Sequence, residues 1–280
     1  MLYEVITILL LINLVSVCLG SSLNPRIVNG VNTYQNEFPQ IVSLRYNNKH
    51  TCGATILNEN FLLTAAHCVQ LNVINYNVQY GLTHIIEGPN APNVIGVSRL
   101  IPHENYLPVV ILMGARNDVA LVELKESLKF GTNVQPTKLP KASSTVPESS
   151  TAVVAGWGLL STGGLAASDL QKVYLEVYSD TKCETSMFSA SKWYHICAGV
   201  PQGSKGICNG DSGGPLIVDG TQVGIVSWST RKCGLEGVPG VFVKVSNYVG
   251  WIEKNMSTDA TKSNGFFANL WNYVHHLFFK

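Results

Sequence analysis

The stretch Cys208–Pro215 reads CNGDSGGP and places one serine, Ser212, among small residues, including Gly210, Gly213 and Gly214. Glycine permits backbone conformations that larger residues resist, and it lets another group come close to the main chain. Backbone N–H groups at such close range stabilise the negative oxygen that forms when a nucleophile attacks a carbonyl. We therefore predict Ser212 as a nucleophile, with the N–H groups of Gly210 and Ser212 as the oxyanion donors. Taken alone, however, GDSGG is more typical of an ordinary glycine-rich turn.

A serine needs a base to take its proton, and the base needs an acid to orient it. Histidine is the usual base because its pKa lies near neutrality. His67 lies in TAAHC, beside two alanines that permit a tightly packed turn, and Asp118 opens the apolar run VALVEL. Singly, a histidine next to a cysteine is more often structural, and an aspartate before a strand is more often a turn residue. Together with Ser212 they form a candidate catalytic triad.

The composition is that of a folded protein, and the pattern of apolar runs predicts an all-β fold. Of the 280 residues, 46% are hydrophobic and 13% are charged, which argues against disorder. The formal net charge of +1 does not favour binding to nucleic acid or to an anionic membrane. Short apolar runs separated by turn residues predict a sandwich or two barrels: IVSLRY, FLLTAA, VALVEL, TAVVAGWG, LIV, VGIVSW and VFVKV. We place a boundary between two halves near residues 141–150, and the apolar periodicity predicts a helix at 247–256.

The amino terminus predicts secretion. Residues 6–17 are almost wholly apolar and small residues surround Gly20, so residues 1–20 are interpreted as a signal peptide. A membrane anchor is the alternative, but the run is short for a span. Removal of the segment takes Cys18 away and leaves six cysteines, which in a secreted chain predict three disulfides. No CxxC pair indicates zinc, and no metal or cofactor is expected.

Seven motifs in fixed order resemble the trypsin/chymotrypsin family of serine proteases over about residues 27–256. They are RIVNG, TAAHC, NDVAL, AGWG, GDSGGP, SW at residues 227–228 and PGVFVKV. The resemblance implies two six-stranded antiparallel β-barrels, an active-site cleft between them and a C-terminal helix. It implies the roles of Ser212, His67 and Asp118 given above. It also implies three disulfides: Cys52–Cys68, Cys183–Cys197 and Cys208–Cys233.

The resemblance further implies a precursor. Cleavage between Arg26 and Ile27 would free an amino group that pairs with Asp211, next to the nucleophile. A buried ion pair is costly unless well matched, so it works as a switch that orders the oxyanion loop. Residues 21–26 are then a short activation propeptide, and residues 27–256 are the protease domain.

The pocket positions carried over from the family predict specificity. No acid stands at Gly206 or at the following Ile207, where trypsin-like members carry an aspartate at the first position. The walls are predicted at Ser227, Trp228, Ser229 and Gly240. A neutral, mostly apolar pocket gives a chymotrypsin-like or elastase-like preference for Leu, Met or Phe, because burying an unpaired Lys or Arg head is costly. Glu236 in the adjoining loop is the alternative that would restore a basic preference.

An enzyme that disfavours arginine would not cut efficiently after Arg26, so we expect a separate trypsin-like protease to activate it. Protein or peptide substrates and protein inhibitors are the other expected partners, and nucleic acid is not one. The rival function is that of a catalytically inactive homologue acting as a binding or regulatory module. A lipase-type hydrolase is a third alternative, since GDSGG also matches G-x-S-x-G, but the strand-rich flanks speak against it.

Three segments depart from the family pattern or remain open. The apolar loop 107–117 is expected to form a hydrophobic subsite, to cover the cleft partly, or to fold onto its own barrel. Residues 257–280 carry apolar residues at helical spacing and are too short to span a bilayer. Packing or disorder is favoured there over contact with a membrane surface or a partner.

Asn255 begins an N-x-S triplet and is a candidate glycosylation site. The remaining histidines are interpreted as core or surface residues: His50, His84, His103, His195, His275 and His276.

Overall fold

Twelve strands close into two antiparallel barrels of six in the part of the chain that the computed structural model describes, residues 28–108 and 114–257. The first barrel consists of β2 (Ile41–Tyr46), β3 (Lys49–Ile56), β4 (Phe61–Thr64), β5 (Tyr76–Tyr80), β6 (Val94–Pro102) and β7 (Ala120–Leu124). Strand β2 pairs with both β3 and β5, and this double pairing closes the ring. Closure leaves no free sheet edge, and apolar side chains fill the interior.

The second barrel repeats the arrangement with the later strands. It consists of β8 (Thr151–Gly156), β9 (Gln171–Val177), β10 (His195–Gly199), β11 (Pro215–Val218), β12 (Thr221–Trp228) and β13 (Gly240–Lys244). Strand β8 pairs with both β11 and β9 and closes the ring, and the short β1 (Val31–Asn32) adds to the outside of β9. The predicted fold class is confirmed: it is all-β, with two six-stranded antiparallel barrels and a C-terminal helix.

Helix α1 (Asp180–Ser186) was not predicted. It has seven residues, too few to show a helical period in the sequence. Its start is set by Ser179, whose hydroxyl accepts the N–H of Lys182 at 3.3 Å. Its buried Cys183 forms a disulfide to Cys197 on β10, which ties the helix to the second barrel.

The C-terminal helix α2, residues 249–257, packs against the first barrel although the strand before it belongs to the second. Val245, Tyr248 and Ile252 lie within the first barrel's apolar core. Trp251 stacks on His103 with ring centroids 5.0 Å apart, and its indole N–H donates to Glu104 at 2.7 Å. Helix α2 and the residues just before it therefore complete the hydrophobic core of the first barrel.

The three predicted disulfides are all present, as Cys52–Cys68, Cys183–Cys197 and Cys208–Cys233. The predicted boundary at 141–150 lies within the long connection between β7 and β8. The predicted signal peptide, the cleavage pair Arg26–Ile27 and residues 258–280 lie outside the described residues. Among the described residues, no helix combines the length and the apolar character needed to cross a bilayer.

Candidate active site

The two barrels meet at a seam of glycines next to Ser212. The N–H of Gly53 on β3 donates to the carbonyl of Ser212 at 2.7 Å. A Cβ on Gly213 would lie 2.2 Å from Oγ1 of Thr64 and 2.4 Å from the carbonyl oxygen of Gly53. Gly213 also has φ of +76°, a conformation that disfavours any residue with a side chain. The seam presses the Ser212 loop of the second barrel against the turn of the first barrel that carries His67.

His67 and Asp118 are joined in the arrangement that the sequence predicts. His67 lies on a 3-10 turn (Ala66–Val69) directly after β4, and the neighbouring Cys68 is bonded to Cys52 on β3. Asp118 lies just before β7, which pairs with β4, so strand pairing brings the two residues together. The Nδ1 of His67 is 2.8 Å from one carboxylate oxygen of Asp118, and the backbone N–H of His67 donates to the other at 2.8 Å.

This bonding defines the chemistry of the imidazole. Asp118 is only 1% exposed and acts as an acceptor, so Nδ1 of His67 carries the hydrogen and Nε2 is left to act as the base. A third donor completes the carboxylate's shell, because the hydroxyl of Ser227 donates to Asp118 at 2.6 Å. Ser227 was expected only as a residue of the pocket wall, and its contact with Asp118 was not predicted. Burial and the nearby Asp118 charge raise the pKa of Tyr106 to about 12, so its phenol stays neutral beside the pair.

The buried carboxylate of Asp211 belongs to the residue that directly precedes Ser212. Complete burial raises its pKa to about 7, although the N–H groups of Cys208 and Gly158, each donating at 2.9 Å, act in the opposite direction. No cationic side chain of the described residues forms an ion pair with it. The glycines of AGWG make room for this carboxylate, since a Cβ on Gly156 or Gly158 would lie 2.3 Å or 2.5 Å from it.

The loop that carries the proposed oxyanion donors is held from behind by a buried histidine. Gly210 has φ of +94°, and a Cβ there would lie 2.9 Å from Cα of Gly158. The Nε2 of His50 donates to the carbonyl of Gly210 at 3.0 Å, while its Nδ1 is 2.8 Å from the hydroxyl of Ser43. Burial lowers the pKa of His50, which favours the neutral ring, whose Nδ1 can accept the hydroxyl hydrogen of Ser43.

A cavity of about 210 Å³ opens beside Ser212 and contains no charged side chain. Four of the predicted pocket residues line it: Ile207, Ser227, Trp228 and Ser229. The other lining residues are Cys208, Asn209, Ser212, Val226, Thr230 and Cys233. The predicted Gly206 and Gly240 are not among the lining residues. A Cβ on Gly240 would lie 2.9 Å from the side chain of Ile207, so Ile207 covers this glycine. Glu236 is exposed and does not line the cavity.

Two further features concern metal binding and glycosylation. His67 lies within 4.8 Å of the sulfurs of Cys52 and Cys68, but these sulfurs are bonded to each other and offer no thiolate. Asn255 lies half-buried on α2, and its side-chain amide donates to the carbonyl of Trp251 at 2.9 Å.

Comparison with known proteins agrees with this architecture. The family model described as trypsin matches residues 27–252. A relative, Trypsin-1 from Astacus astacus, is 37% identical over 243 residues, which cover 82% of this chain and 99% of the relative. With matching motifs, fold and length, the chain belongs to the trypsin family of serine proteases.

Proposed function

We propose that the chain is a secreted serine endopeptidase, made as an inactive precursor, that hydrolyses peptide bonds after uncharged apolar residues. The observation that carries the specificity is the cavity beside Ser212, whose lining contains no charged group and includes the apolar Ile207. Three disulfides fit an oxidising, extracellular environment.

In the proposed reaction, Ser212 Oγ attacks the substrate carbonyl while His67 Nε2 takes its proton. Asp118 stabilises the imidazolium that forms, because its carboxylate already bonds Nδ1 at 2.8 Å. The N–H groups of Gly210 and Ser212 stabilise the oxyanion. His67 then protonates the leaving amine, an acyl-enzyme remains, and water attacks it with His67 again as the base.

The proposed activation step supplies a partner for Asp211. Cleavage after Arg26 would free the amino group of Ile27, and a cation beside the carboxylate would favour its charged form and lower its pKa. A fully buried carboxylate whose pKa is raised to about 7 supports this idea, because it lacks a cationic side chain among the described residues. Pairing would order residues 208–212, since Asp211 also accepts the N–H of Cys208.

The specificity is tested with the precursor after cleavage by trypsin and removal of that trypsin. Peptides that differ only in Leu, Phe, Ala or Arg before the scissile bond are compared, with Ser212→Ala as the inactive control. The Arg peptide should react at least about a hundredfold more slowly than the best apolar one, because an unpaired guanidinium is costly to bury. Fastest cleavage after Arg would contradict the proposal, and no turnover of any peptide would favour an inactive homologue.

A gain of function provides the matching positive test. Gly206 does not line the cavity itself but directly precedes the lining residue Ile207, and a Cβ on Gly206 would have its nearest neighbours at 3.6 Å, so a side chain has room to start there. Gly206→Asp should raise the Arg-to-Leu ratio of kcat/KM, because it adds the missing counter-charge.

Purified precursor incubated alone should stay uncleaved at Arg26, whereas rapid self-conversion would contradict activation by a separate protease.

A further inference from the structure

His195 is a buried histidine that the proposed reaction does not use, and it lies between two parts of the active site. It begins β10 and is 1% exposed. Its Nε2 donates to the carbonyl of Ala115 at 2.7 Å, three residues before Asp118. Its ring packs edge-on against Trp228, a wall of the substrate cavity, with centroids 5.9 Å apart at 86°. One side chain of the second barrel thus contacts both the segment that carries the catalytic acid and the pocket wall.

These contacts act together with the hydrogen bond from Ser227 to Asp118 at 2.6 Å, which also joins the two barrels. The segment 114–118 is also bonded within its own loop, where Arg116 and Leu107 exchange two backbone hydrogen bonds. The indole N–H of Trp228 finds no acceptor among the described residues, so packing orients this ring. A Cβ on Gly114 would lie 2.6 Å from the Trp228 ring, which shows how closely the loop and the wall approach each other.

The hydrogen bonds of His195 require its neutral form. The N–H of Ser191 donates to Nδ1 at 3.0 Å, so Nδ1 must be the unprotonated nitrogen while Nε2 carries the hydrogen. A proton added at Nδ1 would face another donor inside a buried site. The Ser191 bond would then be lost, and the ring would have to move away from Ala115 and Trp228.

We propose that His195, in its neutral form, is a positioning residue for substrate hydrolysis that sets the placement of both the Asp118 segment and the Trp228 wall. The proposal rests on the protease function above. The titratable or charged groups that face His195 are Asp118 and Arg116 of the loop and Tyr194 of its own segment; β12 contributes the neutral Trp228. Burial lowers the pKa of His195 most, Arg116 adds to this, and the Ala115 carbonyl and Asp118 oppose it. The ring is therefore neutral at neutral pH and takes its proton only below the ordinary histidine range.

Two substitutions separate hydrogen bonding from simple packing. His195→Phe keeps an aromatic ring but removes the donor to Ala115, whereas His195→Gln keeps an amide donor that cannot take a proton. His84→Gln is the control, because that side chain is 60% exposed and is bonded to Asp169, away from the cleft. At neutral pH, His195→Phe should lower kcat/KM per titrated active site about tenfold, since a buried carbonyl loses its partner. His195→Gln should recover to within about threefold of the parent enzyme.

The pH profile and nitrogen NMR test the requirement for the neutral ring. NMR of the activated protein should show His195 as the Nε2–H tautomer, with protonation only below about pH 6.5. Below the pH of that step, log kcat/KM of the parent and of the His84→Gln enzyme should fall further with decreasing pH than log kcat/KM of His195→Gln, whose amide cannot take a proton.

Equal activity of the Phe and Gln variants, an Nδ1–H tautomer, or a ring that stays neutral until unfolding would overturn the proposal. So would a pH profile of the parent that coincides with the profile of His195→Gln below the protonation step. Where His195→Phe does not fold, as judged by thermal melting, the Gln variant and the NMR measurement still decide. Lack of turnover by the parent enzyme would refute the protease function instead, while NMR would still report on the ring.

Discussion

Replacing Gly213 by alanine should inactivate the enzyme by pushing the Ser212 loop away from the His67 turn. The added Cβ would lie 2.2 Å from Oγ1 of Thr64 and 2.4 Å from the carbonyl oxygen of Gly53, whereas ordinary contact begins near 3.4 Å. Relief of the clash therefore requires a shift of about 1 Å, and a misplacement of that size between reacting groups costs about a hundredfold in rate. We expect kcat/KM to fall by about that factor.

Gly220→Ala is a matched control for the backbone effect. Gly220 has φ of +71°, close to the +76° of Gly213, but a Cβ there would meet nothing within 4 Å. Both variants should lose about 1–2 kcal/mol of unfolding free energy from the left-handed conformation. Only Gly213→Ala should also lose activity per folded molecule.

The assay combines urea denaturation with kcat/KM of the trypsin-activated protein on its best apolar peptide. Rates are expressed per folded molecule, because the Gly213 variant is expected to react slowly with active-site titrants. If Gly213→Ala retained kcat/KM within about threefold of Gly220→Ala, the glycine seam would not position the nucleophile, and the reasoning would be refuted.

Three further predictions concern the hydrogen bond to Asp118, the pKa of Asp211, and one disulfide. Ser227→Ala should lower kcat/KM about tenfold, because the buried Asp118 carboxylate loses a charge-assisted hydrogen bond. Ser229→Ala, which changes another residue lining the same cavity, should alter kcat/KM less than about twofold, and equal effects of the two variants would contradict the prediction. In the uncleaved precursor, the folded-state pKa of Asp211 is raised to about 7, so its contribution to stability is present at low pH and is lost as pH rises toward 7. The melting temperature of the precursor relative to Asp211→Asn should therefore be higher at about pH 5 than at about pH 8, and a pH-independent difference would argue against a raised pKa. Replacing Cys208 and Cys233 together by alanine should lower the unfolding free energy by about 3 kcal/mol, because the disulfide closes a loop with a sequence separation of 25. A loss below about 1 kcal/mol would contradict this and show that other contacts restrain the loop.

The strands that could be predicted from sequence are those whose apolar runs are long and bounded by turn residues. IVSLRY matches β2 residue for residue, and the first six residues of TAVVAGWG match β8. Two other strands contain no long apolar run: β3, which begins KHT, and β10, which reads HICAG. Disulfides, glycine contacts and packing between the barrels determine the residues of these strands instead. Local composition therefore predicts the class of the fold better than its complete set of strands.

The site residues divide in a similar way. Motif order in the sequence predicts the proximity of His67 and Asp118, which the pairing of β4 with β7 brings about. The contacts of Ser227 with Asp118 and of His195 with Ala115 cross 109 and 80 residues of chain. They arise only once both barrels are closed and docked, and no local pattern announces them.

The C-terminal helix has a consequence for biosynthesis. Tyr248 and Ile252 emerge from the ribosome after every strand of both barrels, yet they fill the core of the barrel whose strands emerge first. A nascent or prematurely terminated chain therefore holds an incomplete amino-terminal half, with an unfilled apolar hollow where the final turns belong. The candidate active-site cleft can therefore assemble only after the C-terminal helix has been synthesised, which is later than the synthesis of His67, Asp118 and Ser212. Truncated products that lack this helix should be targets for quality control.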